Sequence, residues 1–185
     1  MDNKVCPPWV GYFLLNPLRR LVENPEKILG KFIREGMVVL EPGSGMGFFT
    51  LPMARMVGGN GLVIAVEVQE KMLSVLQRRA IKAGLADRIE IRQSGVDGVG
   101  IKDLSGKVDF SAAIHVIHEV PDQASFLSEL WSALKPGGKL LAIEPKGHVS
   151  LEEFDRTLSI AEDIGFKSEK MPFKAGGRRA LLHKL

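Results

Sequence analysis

Met37-Val38-Val39-Leu40-Glu41-Pro42-Gly43-Ser44-Gly45-Met46-Gly47-Phe48-Phe49-Thr50 decides how this chain is read. Val38-Val39-Leu40 is rich in β-branched residues and lacks polar alternation, the pattern of a strand buried on both faces. Three glycines at alternate positions follow. A residue without Cβ permits both a tight turn and a close approach of backbone to a ligand. From Phe48 to Val57 the apolar residues fall at helical spacing, with Pro52 early enough that its missing N–H costs little. Strand, glycine turn and helix, in this order, cradle a nucleotide-like ligand at the carboxyl end of a parallel strand.

The spacing narrows the ligand. The dinucleotide fingerprint requires a third glycine three residues after the second, and that position here is Phe48. Glu41 beside a pyrophosphate would set anion against anion, so an acid there suits a ligand with a cationic end. A second buried run, Leu62-Val63-Ile64-Ala65-Val66-Glu67, also closes with an acid. An acid some twenty residues past the glycines can accept both hydroxyls of a ribose. The plainer alternative is a solvated glutamate at a strand end.

Composition sets outer bounds. A chain of 185 residues with 45% hydrophobic and 25% charged residues is expected to form one soluble domain with a substantial core. The net charge of +3 is mild, and the arginine pairs are scattered, so nucleic acid is not expected as a partner. Cys6 is the single cysteine. It allows no internal disulfide and no multi-cysteine zinc site, which fits a cytoplasmic location. No apolar run reaches the ~18 residues of a transmembrane helix, and no signal-peptide pattern opens the chain.

Residues 1–35 are an aromatic-rich lead in which Pro7, Pro8 and Pro17 prevent a long helix before Leu18. Short helices are expected over Leu18–Val22 and Glu26–Phe32, the second capped by Asn24 with Pro25 at its first position. Trp9, Tyr12, Phe13 and Leu14 suit either a cover on the core or a lid over a ligand. The lid is favoured, because small ligands are usually held in apolar pockets with few polar groups. Gln69–Ala83 is an amphipathic helix stopped by Gly84. Ile89–Arg92 alternates as a strand near an edge, and Val108–Ile114 is a buried strand. A helix over Gln123–Leu134 precedes a Leu134-Lys135-Pro136-Gly137-Gly138 turn into a further strand. Ser150 and Glu153 form a capping box for a helix through Ile164, and Phe166–Phe173 with Ala180–Leu185 read as a closing hairpin.

Glu41-Pro42-Gly43-Ser44-Gly45-Met46-Gly47 resembles the acid-x-Gly-x-Gly-x-Gly motif of the class I S-adenosylmethionine-dependent methyltransferases. Val108-Asp109 opening the fourth strand and the Leu-Lys-Pro-Gly-Gly turn resemble later motifs of the same family. The resemblance covers roughly residues 36–185 and is nearest the small-molecule branch that includes ubiquinone- and menaquinone-biosynthesis methyltransferases. It implies an α/β fold, a Rossmann-like doubly wound sheet of seven strands, mostly parallel with a C-terminal antiparallel hairpin. It implies S-adenosylmethionine as cofactor, with S-adenosylhomocysteine as product. Glu41 would organise the amino-acid end of the cofactor, Gly43, Gly45 and Gly47 its backbone and ribose, and Glu67 the ribose hydroxyls. Ser94, Gly95 and Val96 stand where the family meets the adenine, and Pro42, Ser44, Val68, Met72 and His115 complete the expected contacts. The lead at 1–35 is expected as a lid or cover on a methyltransferase domain at 36–185.

Methyl transfer needs a base only when the acceptor must lose a proton. Groups near the reaction are expected beyond the fourth and fifth strands, where His115, His118, Glu119, Glu144, Lys146 and His148 fall. His118 is the first candidate for a general base, because imidazole changes charge most easily near neutral pH. Glu119 is the second catalytic candidate, and either it or Glu144 could orient the ring. Local hydrogen bonding in the loop before Pro121 is the alternative role for His118. Imidazole and carboxylate would suit zinc or iron, but the order of these residues matches no zinc-protease string, and no metal is expected. An Asn/Asp-Pro-Pro-aromatic tetrad, which accompanies methylation of adenine or glutamine amino groups, is replaced here by His115-Val116-Ile117-His118.

The expected acceptor is a small, partly apolar organic molecule. A non-catalytic cofactor-binding sensor or accessory protein is the first alternative. A nicotinamide-dependent oxidoreductase and an RNA methyltransferase follow.

Overall fold

A computed structural model describes residue 15 and residues 19–95, 98–172 and 177–185. Its elements, in order, are α1 (Arg19–Val22), α2 (Pro25–Leu29), β1 (Val38–Pro42), α3 (Thr50–Met56), β2 (Leu62–Glu67), α4 (Glu70–Lys82), β3 (Ile89–Gln93), β4 (Val108–Ile114), α5 (Gln123–Ala133), β5 (Leu134–Glu144), α6 (Leu151–Ile164), β6 (Phe166–Lys170) and β7 (Arg178–Lys184). The strands form one sheet in the order β3-β2-β1-β4-β5-β7-β6. The first five run parallel, and β7 lies antiparallel between β5 and β6. This is the expected seven-stranded architecture, with β3 at an edge.

Alternate residues of each strand point to opposite faces, and both faces are covered. Leu40, Ile64, Val66, Leu140 and Ala142 pack with Phe126, Leu127 and Leu130 of α5 and Phe154 and Leu158 of α6. Val39, Val63, Ala65, Leu141 and Ile143 pack on the other face with α2, α3 and α4, through Leu29, Met53 and Leu76. Two-sided burial explains why these strands read as unbroken apolar runs. The strand order reverses between β1 and β4, and the crevice outside their carboxyl ends is where ligands of such sheets bind.

The amino-terminal edge of the sheet is pinned by charge. Asp109 accepts a hydrogen bond from Val38 N–H at 2.8 Å and one from Lys135 Nζ at 2.5 Å. The motif aspartate of β4 and the lysine of the Pro-Gly-Gly turn therefore meet far from the crevice, where they fix β1 and β5 against β4. At the end of α5, Lys184 donates to the carbonyls of Trp131 and Leu134 at 2.7 and 2.8 Å and lies 4.0 Å from the Trp131 ring centroid. A cation there satisfies carbonyls that the helix leaves unpaired.

Several boundaries differ from the sequence reading. The third helix begins at Thr50 rather than Phe48, because residues 44–49 are spent in the glycine turn. The second stops at Leu29, not Phe32, although the Asn24 cap and Pro25 start hold. Strand β5 begins at Leu134, pairing with Val108 before a register shift at Phe110, so the Pro-Gly-Gly segment is an irregular strand opening. Strand β6 ends at Lys170, short of Phe173. The Ser150–Glu153 capping box is present, and Gly165 ends its helix with a φ of 121°. Most of the aromatic lead, Trp9 and Tyr12 included, lies outside the described residues. Among those described, no helix is long and apolar enough to cross a membrane.

Candidate functional site

The carboxyl ends of β1 and β2 form a cradle with two acids. The turn after β1 is fixed by Gly43 and Ser44, whose N–H groups both donate to the Val66 carbonyl, at 2.8 and 3.0 Å. Gly43 has a φ of 72°, and a Cβ there would lie 2.6 Å from Val116 Cγ2. Gly45 also adopts the left-handed region, at 54°, but a Cβ there would meet nothing closer than Met72 Sδ at 3.9 Å. Space above Gly45 is therefore open. Gly47 has a different reason to be glycine: a Cβ would collide with Leu76 at 2.4 Å and Leu51 at 2.9 Å. Its lack of side chain lets α4 and α3 close on the turn.

Glu67 organises this loop. One carboxylate oxygen accepts from Gly45 N–H at 3.0 Å and the other from Gln69 N–H at 3.1 Å. Each oxygen keeps a further lone-pair site, so the group can hold the loop and still accept ligand hydroxyls. Glu41 is buried and takes a hydrogen bond from Thr50 Oγ1 at 2.5 Å. Burial pushes its carboxyl up to about 8, with the Glu67 charge adding to the effect and Thr50 opposing it. Ser44 is also buried, and its Oγ has no hydrogen-bond partner among the described residues. A buried hydroxyl without a partner is costly, and it belongs to the residue just before Gly45. Two carboxylates, an unused hydroxyl and a bare backbone turn suit a ligand carrying a cation and several hydroxyls.

The remaining expected contacts surround the same turn. Met72 is buried with Met46 and Val75 against the loop, which makes it both core and wall. Pro42 is the buried last residue of β1, and Val68 is exposed on the rim. Ser94 is half-buried and donates its N–H to the Glu67 carbonyl at 3.1 Å. Gly95 is exposed and bridges to Gly98. Val96 lies outside the described residues.

Across the switch point, β4 and β5 carry a second group of polar residues. His115 follows β4 with a φ of 59° and is the one non-glycine residue with positive φ among those described. Its Nε2 lies 3.1 Å from Glu23 Oε1, and Arg19 Nε donates to Glu23 Oε2 at 2.8 Å. Burial raises the Glu23 carboxyl, but His115 and Arg19 together outweigh it and hold the group below its ordinary range. The Arg19 guanidinium also covers Phe48, 4.4 Å from the ring centroid. Arg19 of α1 and Glu23 just after it thus tie this segment to Phe48 and to His115.

Beyond His115, Val116 packs against Gly43, and the chain makes a short helical turn at Ile117–Glu119. His118 Nδ1 is hydrogen-bonded to Glu144 Oε2, and Glu144 Oε1 accepts from Ile117 N–H at 3.0 Å. Glu144 is 1% exposed. The His118 ring meets His148 edge-on, with centroids 6.0 Å apart. Of the two acids that could orient His118, Glu144 contacts it through Nδ1. Among the described residues, no three His, Cys, Asp or Glu side chains are grouped to hold a metal ion.

Sequence reasoning missed Thr50, Glu23 and Arg19. Thr50 had a signal, being the single hydroxyl in an otherwise apolar segment from Phe48 to Met53. Glu23 had none, because its partner is set by the fold and not by local pattern.

Residues 33–171 match the family model described as a methyltransferase domain. The chain is similar to the ubiquinone/menaquinone biosynthesis C-methyltransferase of Marinomonas sp. (strain MWYL1), 26% identical over 127 residues that make up 67% of this chain and 50% of that protein. The chain spans about half the length of the curated relatives it matches. Among solved structures, a SAM-dependent methyltransferase from Aquifex aeolicus is 28% identical with a TM-score of 0.86, over 98% of this chain and 100% of the other. A SAM-dependent O-methyltransferase from Thermotoga maritima shares the fold at 20% identity and a TM-score of 0.69, over 88% of this chain and 65% of the other.

Proposed function

This chain belongs to the class I S-adenosylmethionine-dependent methyltransferases, and from that premise we propose that it methylates a small, partly apolar organic acceptor. The observation that carries the reading is the cradle: Glu41 and Glu67 converge on a glycine turn that is open at Gly45 and includes the buried, unpartnered hydroxyl of Ser44. Glu41 would receive the cationic amino-acid end of the cofactor, and Glu67 its ribose hydroxyls. Met72 would wall the loop, with Ser94 and Gly95 beside the base. When bound, S-adenosylmethionine supplies an electrophilic methyl group on a sulfonium.

The chain's own residues orient, exclude water and move protons, which is where the protein's share of such catalysis lies. Arg19 of α1 lies on Phe48, and Glu23, just after the helix, lies near His115, contacts that support a covering role for residues 1–35. His118, oriented by Glu144, is the candidate proton acceptor, with Glu119 in the same turn. The relatives named for C-methylation make a ring-type acceptor the first class to assay.

Thermal shift with S-adenosylhomocysteine and with NAD separates this reading from an oxidoreductase, because only a ligand that binds the folded state stabilises it. Stabilisation by S-adenosylhomocysteine alone is the expected result, and a shift with NAD alone would defeat the proposal. Transfer of labelled methyl to small-molecule extracts then distinguishes an enzyme from a sensor.

A further inference from the structure

Resting on that reading, we propose that Thr50 positions Glu41 for the cationic end of the cofactor. Its hydroxyl accepts from the protonated acid while the cradle is empty, and donates to the carboxylate once the cation is in place. Thr50 is the first residue of α3 and is 0% exposed. A threonine near a helix end ordinarily serves the backbone close by. Here its Oγ1 reaches nine residues back to Glu41 Oε2, at 2.5 Å, and takes no other partner among the described residues. The hydroxyl lies beside the third glycine of the turn, since a Cβ on Gly47 would stand 3.5 Å from it.

This bond gives the two oxygens of Glu41 different tasks. Oε2 is held by Thr50, while Oε1 has no hydrogen bond among the described residues. One oxygen is fixed by the fold and the other is left for a ligand. The elements packed around the acid bring no cation to it. Glu41 stands in register with Ala65 of β2, and the nearby positions of β4, Ser111 and Ala112, are uncharged. Helices α2, α3 and α4 turn Leu29, Met53 and Leu76 to this face of the sheet. Every charged residue of α2 and α3, and of α4 apart from Arg79, is exposed, and Arg79 donates to the Met46 carbonyl. Arg19 of α1 and His115 after β4 are engaged with Glu23. The charge that does act on Glu41 is that of Glu67, and it opposes a second anion.

A hydroxyl suits a neighbour that must change charge. It has one hydrogen to give and two lone pairs with which to receive, so Thr50 serves Glu41 in either protonation state by rotating about its Cβ–Oγ1 bond. Without a ligand, burial raises the Glu41 carboxyl to about 8, and the acid donates its own hydrogen to Thr50 Oγ1. When an ammonium arrives at Oε1, the proton leaves Glu41 for solvent, the hydroxyl turns, and Thr50 donates to the anion. A hydrogen bond to an ionised acceptor is the stronger of the two. Thr50 therefore favours the carboxylate on balance, against burial and Glu67. An alkyl side chain of the same shape would serve neither state.

The test compares S-adenosylhomocysteine, which keeps the ammonium end, with 5′-methylthioadenosine, which lacks the whole amino-acid portion, by calorimetry from pH 6 to 9. Thr50→Val keeps the shape and removes the hydroxyl. It should weaken S-adenosylhomocysteine ~10–100-fold at pH 7, the worth of one hydrogen bond to a charged group, and raise the pH at which its binding titrates. Methylthioadenosine should bind as it does to wild type at every pH. Thr50→Ser should keep the wild-type profile for both ligands. Thr50→Ala is a second variant without the hydroxyl, for use where the valine upsets packing, and must show the same discrimination. Infrared difference spectra between wild type and Glu41→Gln, independent of turnover, should show a protonated carboxyl at pH 6 without ligand and its loss when S-adenosylhomocysteine is added. An equal loss for both ligands, an unmoved pH profile, or a carboxyl already ionised at pH 6 without ligand would overturn the proposal. So would a Thr50→Ser variant that behaves like Thr50→Val. Each of these leaves the methyltransferase reading standing, whereas failure of S-adenosylhomocysteine to bind the wild-type protein would remove both.

Discussion

The two halves of the crevice handle buried acid in opposite ways. On the β1–β2 side, Glu41 is buried with only the Thr50 hydroxyl donating to it, and no cation pairs with it among the described residues. Its carboxyl is accordingly raised to about 8. On the β4–β5 side each acid has an imidazole: Glu144 meets His118, and Glu23 meets His115 with Arg19 as well. Glu23 is correspondingly held below its ordinary range. One half keeps a charge requirement for a ligand to satisfy. The other satisfies its own and directs the pairing toward positioning an imidazole.

Variants that act on one half alone should separate the two roles. The largest effect is expected from His118→Ala or Glu144→Gln, which should reduce turnover by ~10²–10⁴ while S-adenosylhomocysteine affinity, measured calorimetrically, stays near wild type. A matching loss of cofactor affinity would merge the halves into one site.

Next comes the pH dependence of stability without ligand. Glu41 has a folded-state pKa above its unfolded value, so its contribution is complete below about 4.5 and is lost as pH rises toward about 8. The slope approaches ~1.4 kcal/mol per pH unit in that window, a sum of a few kcal/mol. Glu41→Gln should therefore raise the melting temperature at pH 9 relative to wild type and flatten this slope. A variant no more stable than wild type at pH 9 would mean that Glu41 is solvated.

Glycine substitutions sharpen the contrast within the cradle. Gly45→Val places atoms in open space and should weaken S-adenosylhomocysteine binding roughly a hundredfold, about 3 kcal/mol. Gly47→Ala pushes against Leu76 and Leu51 and should cost ~1–3 kcal/mol of stability, read from urea unfolding, with weaker binding only as a consequence. Smallest is Glu23→Gln. Its folded pKa is depressed, so the stability it contributes is present above the ordinary carboxylate range and fades as pH falls through the lowered value. Because glutamine keeps an acceptor oxygen for Arg19 or His115, replacement should cost ~1 kcal/mol at pH 7 and remove that acid-side decline.

The fold was legible because two-sided burial writes itself as β-branched runs closed by polar or glycine residues. Leu62–Glu67 and Val108–Ile114 are read from sequence with the same bounds that the structure gives them. The start of α3 was not legible, because the apolar Phe48 and Phe49 look helical while the backbone is still turning. Within the site, Glu41 and Glu67 were visible as acids ending buried strands, and His118 as a histidine after β4. Its pairing with Glu144 could be narrowed to two acids but needed the β4–β5 register to settle it. The Glu23–His115 contact was invisible, since nothing near Glu23 in the chain marks a residue that folds over the opposite rim.

Calorimetric binding of S-adenosylmethionine across pH 6 to 9, in buffers of different ionisation enthalpy, tests the cradle most directly. A cationic ligand end against Glu41 requires the ionised carboxylate. Binding should therefore release a proton below about pH 8, affinity should fall as pH drops, and both effects should vanish in Glu41→Gln. Binding that releases no proton, with an affinity unchanged by that substitution, would contradict the placement of the donor between Glu41 and Glu67.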